Sequence, residues 1–174
     1  MSAPRGFFGV GVEGISKPLN FGAVMRTAHA MHAAFLFSVG KSPHLRVERG
    51  SDTSAAERHT PYYEWESLDD MRLPRGCKLV AVELVEGAVE LPQFLHPLQA
   101  AYLLGPEKGS VSEAALTAAD HVVKIPSKFC VNVGLAAAFI MYDRMIYLGG
   151  YPARPAPSAP PPGTALWERL RKLP

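Results

Sequence analysis

The sequence of 174 residues is poor in cysteine, has no long apolar run and carries a formal net charge of only +2. Two cysteines, Cys77 and Cys130, are too few for a disulfide framework or a zinc cluster and predict reduced thiols. The longest apolar stretch, Gly134 to Tyr142, is far shorter than the roughly 20 residues that cross a bilayer. The N-terminus also lacks the apolar core of a signal peptide, so we expect a soluble, cytosolic protein with no membrane partner.

The composition is that of a globular protein, with 48% hydrophobic and 20% charged residues, which excludes a largely disordered or fibrous chain. The small net charge neither requires nor excludes a nucleic-acid partner. We expect one domain over residues 1–150. Residues 151–163 contain six prolines and predict an extended linker. Residues 164–174 form a basic amphipathic segment that docks on its own domain, on a partner chain or on RNA.

Short apolar strands alternate with helices along the first 150 residues. A strand is predicted from Gly6 to Glu13, a helix from Asn20 to Ala33 and a second strand from Phe35 to Val39. This order is typical of a parallel α/β sheet covered by helices. The other predicted elements are strands at Lys78–Leu84, Ala101–Leu104 and His121–Ile125 and helices at Ser112–Ala119, with Ser112 as the cap, and Val131–Tyr147, which we expect to be buried in the core.

A glycine pattern near the N-terminus matches GxGxxG through Gly9, Gly11 and Gly14. In dinucleotide-binding folds this pattern follows a strand and opens a helix, and an acidic residue about 20 positions later holds the ribose. Here the glycines lie inside the predicted strand, and the segment from Ala28 to Leu45 contains no acidic residue. We therefore expect these glycines to shape the strand and the turn after it.

Three segments combine residues that suit a functional site. The first is NFGAVMR, in which Asn20 is a good helix cap and Arg26 lies six residues further on, on a different side of the helix. The second is GPEKGS, which begins at Gly105 after a strand, where open α/β sheets bind ligands. The third is IPSKFCVNVGLAAA, in which Asn132, at the mouth of an apolar helix, needs a polar partner. Each segment alone is also compatible with a purely structural role.

Together, in this order, the segments resemble the three motifs of the SPOUT methyltransferases, in particular the SpoU or TrmH-like branch of RNA ribose 2′-O-methyltransferases. That branch shows N-x-G-x-x-x-R, then G-P-E-x-x-G, then I-P followed by an asparagine and an alanine-rich helix. The resemblance spans Phe7 to Leu148 and implies a C-terminal deep trefoil knot with S-adenosylmethionine as the methyl donor. It also implies a homodimer, with the apolar final helix as a surface for it and the pocket completed across the interface. The implied substrate is RNA rather than DNA, most of all tRNA and its anticodon loop.

The resemblance also assigns residues to the site. Arg26 is the catalytic residue, assisted by Asn20 and Asn132. Because a guanidinium is essentially never deprotonated, we expect Arg26 to hold a phosphate and stabilise the forming alkoxide rather than act as the base. Glu107 is expected to fix the second loop by accepting backbone N–H bonds. The residues expected at the cofactor are Val82, Gly105, Glu107, Ile125, Cys130 and Val133, and no metal is expected.

Basic residues near the pocket are expected to contact RNA phosphates, with solvated surface charge as the alternative for each. They are Lys17, Arg46, Arg49, Arg58 and Lys108. The aromatic run at Tyr62, Tyr63 and Trp65 either stacks on an unpaired base or forms a strand packed on the sheet, and we favour the strand.

One residue departs from the family pattern, because many relatives carry serine where this chain has Cys130. We expect an inert buried thiol there rather than a nucleophile. Two alternatives to a tRNA enzyme stay open: modification of ribosomal RNA, and an inactive homologue that binds RNA or assists assembly.

Overall fold

The computed structural model describes residues 6–40, 60–106 and 109–149. Over these ranges the chain forms a seven-stranded sheet in which all neighbouring strands are parallel. The strands are β1 (Phe7–Glu13), β2 (Phe35–Val39), β3 (Tyr62–Trp65), β4 (Lys78–Val82), β5 (Val89–Glu90), β6 (Gln99–Leu104) and β7 (His121–Lys124). Their order across the sheet is β3-β2-β1-β6-β4-β7-β5. The predicted parallel α/β architecture is confirmed.

Helices cover both faces of the sheet. They are α1 (Pro18–Ala30), α2 (Glu113–Ala118) and α3 (Val133–Leu148). Alternate side chains of β6 enter different apolar clusters, as the two-residue period of a strand requires. Tyr102 and Leu104 pack in the cluster that contains α1 and α3, whereas Ala101 and Leu103 pack in the cluster that contains α2. The central strands β1, β2, β4 and β6 are therefore buried on both faces over most of their length.

The glycines of β1 allow a close approach to aromatic side chains of β2. A Cβ atom at Gly9 or Gly11 would lie 2.3 Å from the ring of Phe35 or Phe37, respectively. Gly14 ends the strand with a φ of +59°, a conformation that glycine adopts without strain. The interpretation of this motif as strand and turn is therefore confirmed.

The helix ends correct the predicted cap of α1 and confirm that of α2. Helix α1 begins at Pro18 with Lys17 as its N-cap, so the predicted cap at Asn20 is wrong. Proline suits the first helical position because its missing N–H has no partner there. Ser112 caps α2 by accepting a bond from the Ala115 amide at 3.1 Å, and Asn132 caps α3 by accepting one from the Gly134 amide at 2.8 Å.

Several predicted boundaries move by one or two residues, while β2 has the predicted bounds. The aromatic run forms strand β3, which confirms the packed-strand interpretation. Strand β5 was not predicted, since two exposed residues leave no period to detect. The predicted linker at 151–163 and the segment at 164–174 lie outside the described residues.

Helix α3 packs against the sheet, so the expectation that it is buried in the core holds for one side, while the other side is exposed. Its exposed side carries large apolar side chains: Leu135 (55% exposed), Phe139 (46%), Tyr142 (47%) and Ile146 (40%). We call these four residues the α3 stripe. Their spacings of four, three and four residues place them on one side of the helix. Within the described ranges no helix is long and apolar enough to span a membrane.

Candidate functional site

A cleft of about 240 Å³ opens at the carboxyl end of the sheet. Its walls are the segments that follow β4, β6 and β7, together with the first turns of α1 and α3. This is the position where open parallel sheets bind ligands, because the loops after the strands converge there. The lining includes Val82, Glu83, Leu84, Leu104, Gly105, Pro106, Gly109, Ile125, Ser127, Val131, Val133 and Ala136.

The structure brings most of the predicted site residues to this cleft. Five of the six expected cofactor residues line it: Val82, Gly105, Ile125, Cys130 and Val133. Lys17, Asn20 and Asn132 line it as well. The remaining predicted residues Glu107, Lys108, Arg46, Arg49 and Arg58 lie outside the described residues.

The two asparagines meet where α1 and α3 begin. The Asn132 side-chain amide donates to Asn20 Oδ1 at 3.3 Å, so Asn132 has the polar partner that the sequence required. Gly134 brings the helices together, since a Cβ atom there would lie 3.2 Å from the Ala23 Cβ atom. The first and third motifs, separated by more than 100 residues, therefore share one wall of the cleft.

Arg26 does not line the cleft in its own chain. It lies six residues after Asn20 on α1, which corresponds to about 9 Å along the helix axis and about 240° around it. Its side chain is exposed. The structure therefore separates the predicted catalytic arginine from the pocket that the other two motifs form.

The loop after β6 returns closely over Gly105. A Cβ atom at this position would lie 2.9 Å from the Val111 backbone nitrogen, so the return requires glycine. Two carboxylates hold the returning chain. Glu83 accepts from the Val111 amide at 2.7 Å, and Glu13 accepts from the Ser112 amide at 2.8 Å.

Sequence reasoning gave this loop-holding role to Glu107 and did not identify Glu13 or Glu83. The one feature in the sequence that could have identified both residues is their position, since Glu13 is the last residue of β1 and Glu83 directly follows β4. That signal is weak without the strand order, which places β1 and β4 on either side of β6. Only the sheet topology shows that both side chains reach the same loop.

The two cysteines differ in their surroundings. Cys130 is exposed and lines the cleft, so the expectation of a buried thiol is wrong. Cys77 is partly buried, and this desolvation raises its pKa to about 11, which keeps it a neutral thiol. Among the described residues, no group of three or more His, Cys, Asp or Glu side chains is arranged to hold a metal ion.

The cleft combines apolar side chains with exposed backbone polar groups. Val82, Leu104 and Ile125 supply apolar surface, and the Gly-Pro turn leaves backbone donors and acceptors uncovered. A flat heterocycle with polar edges suits such walls. The volume lies below the roughly 300–1,000 Å³ of most small-molecule sites, so part of a ligand of nucleoside size would extend beyond the cleft.

Comparison with known proteins agrees with the motif pattern. The model of the SpoU rRNA Methylase family matches residues 8–142. The tRNA (guanosine(18)-2′-O)-methyltransferase of Thermus thermophilus is 31% identical over 140 residues, covering 76% of this chain and 71% of that protein.

Solved structures share the fold. The AdoMet-bound rRNA methyltransferase from Sinorhizobium meliloti superposes with a TM-score of 0.73 at 20% identity, covering 83% of this chain and 57% of the other. A structure described for the 2-OH methylation of C/U34 on tRNA gives a TM-score of 0.72 at 22% identity, with 86% of this chain and 94% of that chain covered. With the family model matching most of its length, the chain belongs to the SpoU rRNA Methylase family.

Proposed function

We propose that the chain binds S-adenosylmethionine in the cleft and transfers its methyl group to a ribose 2′-hydroxyl of RNA. One observation carries this proposal: segments from all three motifs, far apart in sequence, line a single cleft at the carboxyl end of the sheet. Family membership and the AdoMet-bound structural neighbour support it.

The residues of the cleft fit the donor. Val82, Leu104 and Ile125 offer an apolar slot for adenine, and the turn at Gly105 and Pro106 offers backbone groups to its polar edge. When bound, the donor supplies an electrophilic methyl group on a sulfonium.

Methyl transfer requires the ribose oxygen to attack in line with the carbon–sulfur bond. A carbon–oxygen bond forms as the carbon–sulfur bond breaks, and the hydroxyl proton passes to a neighbouring phosphate or to water. A guanidinium stabilises the developing negative charge without losing its own proton. We assign this role to Arg26, with Asn20 and Asn132 orienting the ribose at the mouth of the cleft.

Since Arg26 lies outside the cleft of its own chain, we propose that it serves the cleft of a second copy. The α3 stripe supplies an apolar surface for a homodimer. Burying four large apolar side chains per copy is favourable, and patches of this kind mark interaction surfaces. Each site would then combine the cleft of one copy with the arginine of its partner.

We propose tRNA as the substrate and the anticodon loop as its modified region. The Thermus relative is a tRNA methyltransferase, and the neighbour of similar length concerns position 34 of tRNA. The relative modifies nucleotide 18, whereas the structural neighbour concerns nucleotide 34. We favour the anticodon loop because the superposition covers 94% of the neighbour's chain. Lys17 at the cleft, with Arg46, Arg49, Arg58 and Lys108, is proposed to contact phosphates.

The trefoil knot is part of the same proposal. Residues of the segment that joins β7 to α3, from Ile125 to Val133, line the same cleft as Gly105 and Pro106 of the loop after β6, which supports this proposal. A cytoplasmic location stays a prediction.

The decisive experiment compares ribose-methylated nucleosides in tRNA and rRNA from a deletion strain and its parent by mass spectrometry. We expect one 2′-O-methylated nucleoside to disappear from tRNA and to return on complementation. Loss from ribosomal RNA alone would overturn the tRNA assignment. No loss, together with no transfer of labelled methyl by the purified protein, would indicate an inactive RNA-binding homologue.

A further inference from the structure

We propose that Glu13 and Glu83 are positioning residues that fix the donor-binding loop after β6 from its two sides. The inference rests on the proposed function, because it assigns how the methyl-donor site is built. It starts from the sheet order, in which β1 and β4 are the two neighbours of β6. Glu13 ends β1, and Glu83 directly follows β4.

The contacts of the two carboxylates are complementary. The Glu83 oxygens accept from the Leu84 amide at 2.9 Å and from the Val111 amide at 2.7 Å. The Glu13 oxygens accept from the Ser112 amide at 2.8 Å and from the Ser112 hydroxyl at 2.7 Å. Adjacent residues of the returning loop are thus held by charge-assisted bonds from opposite sides, which are about twice as strong as neutral ones.

The returning loop in turn defines the cleft wall. Val111 lies over Gly105, where the backbone contact leaves no room for a side chain. Gly105 and Pro106 face the cleft. A shift of Val111 or Ser112 therefore moves the backbone groups that we assign to the adenine edge.

The two residues differ in one useful respect. Glu83 lines the cleft, whereas Glu13 does not. Any effect of Glu13 on donor binding must therefore pass through Ser112 and the loop. This makes Glu13 the cleaner test of positioning.

The experiment measures the Kd of S-adenosylhomocysteine by calorimetry and the thermal midpoint for the full chain and its variants. We expect Glu13→Ala to raise Kd by about tenfold. Glu13→Gln keeps an acceptor for the Ser112 amide and should recover most of this loss. The double variant with Glu13→Ala and Ser112→Ala should weaken binding by less than the product of the two single effects, because both substitutions remove the same contact between Glu13 and Ser112.

The matched control is Asp120→Ala. Asp120 also accepts from a backbone amide, that of Leu79 at 2.9 Å, and pairs with Lys78, but at the amino end of β4. We expect this variant to lower the thermal midpoint without changing Kd. If Glu13→Ala lowers the thermal midpoint as Asp120→Ala does but leaves Kd at the wild-type value, Glu13 has a purely structural role and the inference is overturned. If the wild-type protein binds no S-adenosylhomocysteine, the proposed function itself fails, which is a different result.

Discussion

The two ends of the parallel sheet are built in opposite ways. At the carboxyl end, loops surround a cleft lined by both apolar and polar side chains. Near the amino ends of β1 and β6, a buried polar cluster of His96, Tyr102, Asp143 and Arg144 fills the space. Arg144 is 4% exposed and donates to the backbone oxygens of Phe7, Pro97 and Leu98 and to the Tyr102 hydroxyl.

The comparison shows how one sheet separates stability from function. The buried cluster joins the starts of two central strands to the last turns of α3, and every buried side-chain polar atom in the described residues has a hydrogen-bond partner. The open end instead carries polar side chains, among them Lys17 and Asn132, on the wall of a cleft. Substitutions in the buried cluster should therefore lower the free energy of unfolding, and substitutions at the cleft should lower methyl-transfer activity.

The largest effect is expected from Arg26→Ala. Removing a group that stabilises transition-state charge costs on the order of 100- to 1,000-fold in rate. Because Arg26 is exposed and outside the cleft of its own chain, the thermal midpoint and the Kd of S-adenosylhomocysteine should stay at wild-type values. Methyl transfer to tRNA at the wild-type rate would remove Arg26 from the mechanism.

The partner role of Arg26 can be tested by mixing two inactive variants. Arg26→Ala lacks the arginine, and Gly105→Val blocks the cleft because Val111 leaves no room there. In a mixed dimer, one of the two sites has an intact cleft and an intact arginine if the arginine acts across the interface. Recovery of activity on mixing supports this arrangement, while no recovery from demonstrated mixed dimers contradicts it.

At the amino end, Arg144→Met should cost stability rather than chemistry. It removes the donor that serves the backbone oxygens of Phe7, Pro97 and Leu98 and the Tyr102 hydroxyl, although Leu98 keeps the Phe7 amide and Tyr102 keeps His96, so we expect a loss of roughly 3 kcal/mol in the free energy of unfolding. Urea denaturation provides the measurement. The free energy of unfolding of Arg144→Lys, which keeps the charge but not the planar guanidinium, should lie between those of the wild type and Arg144→Met. A stability equal to that of the wild type would show that the buried cluster is dispensable.

The sequence predicted more of the open end than of the closed end. The three motifs located the cleft because their residue types are tied to chemistry, and five of six expected cofactor positions line it. The buried cluster has no such pattern, since His96 and Arg144 are 48 positions apart and meet only through the packing of α3 on β6. The same limit explains Glu13 and Glu83, whose shared loop depends on strand order.

The arginine and the α3 stripe show a second limit. Residue type correctly marked α3 as apolar, but it did not reveal which side faces the sheet and which faces solvent. Likewise, spacing placed Arg26 on a different side of α1 from Asn20 without showing where the cleft lies. Both questions concern relative orientation, which long-range packing decides.

A smaller effect is expected from Asn132→Ala at the open end. Loss of the cap costs about 1 kcal/mol of stability, and loss of the bond to Asn20 removes an orienting contact. We expect a modest drop in thermal midpoint and a larger drop in kcat than in tRNA affinity. A loss of kcat smaller than the loss of tRNA affinity would argue against an orienting role for Asn132.

The closed end should also respond to pH. Burial lowers the pKa of His96 below its ordinary 6.5, although the hydrogen bond to Asp143 opposes this shift. Neutral His96 suits its surroundings, since Nδ1 can accept from the Tyr102 hydroxyl at 2.6 Å while Nε2 donates to Asp143 at 3.0 Å. Burial also raises the pKa of Tyr102 to about 12, which keeps that hydroxyl protonated.

The sign follows from proton uptake on unfolding. Below pH 6.5 the unfolded chain binds a proton at His96 that the folded chain resists, so stability falls as pH decreases through this region and is unaffected by His96 above it. Urea midpoints between about pH 5 and 8 measure the slope. His96→Gln should flatten it. A slope that is the same in both proteins would assign the pH dependence to other groups.

The smallest effect is expected from Cys130→Ser at the open end. Cys130 is exposed and lines the cleft, so it is positioned to touch the donor, yet the proposed transfer runs directly from sulfur to ribose oxygen and needs no thiol. Serine has nearly the same size as cysteine. We therefore expect kcat and donor Kd to change by less than about twofold. Cys77→Ser is the comparison variant, because Cys77 is partly buried against the apolar cluster that contains α2, and this variant should lose stability instead. Abolished turnover in Cys130→Ser with donor binding retained would require a covalent step through the thiol, and the direct transfer would have to be abandoned.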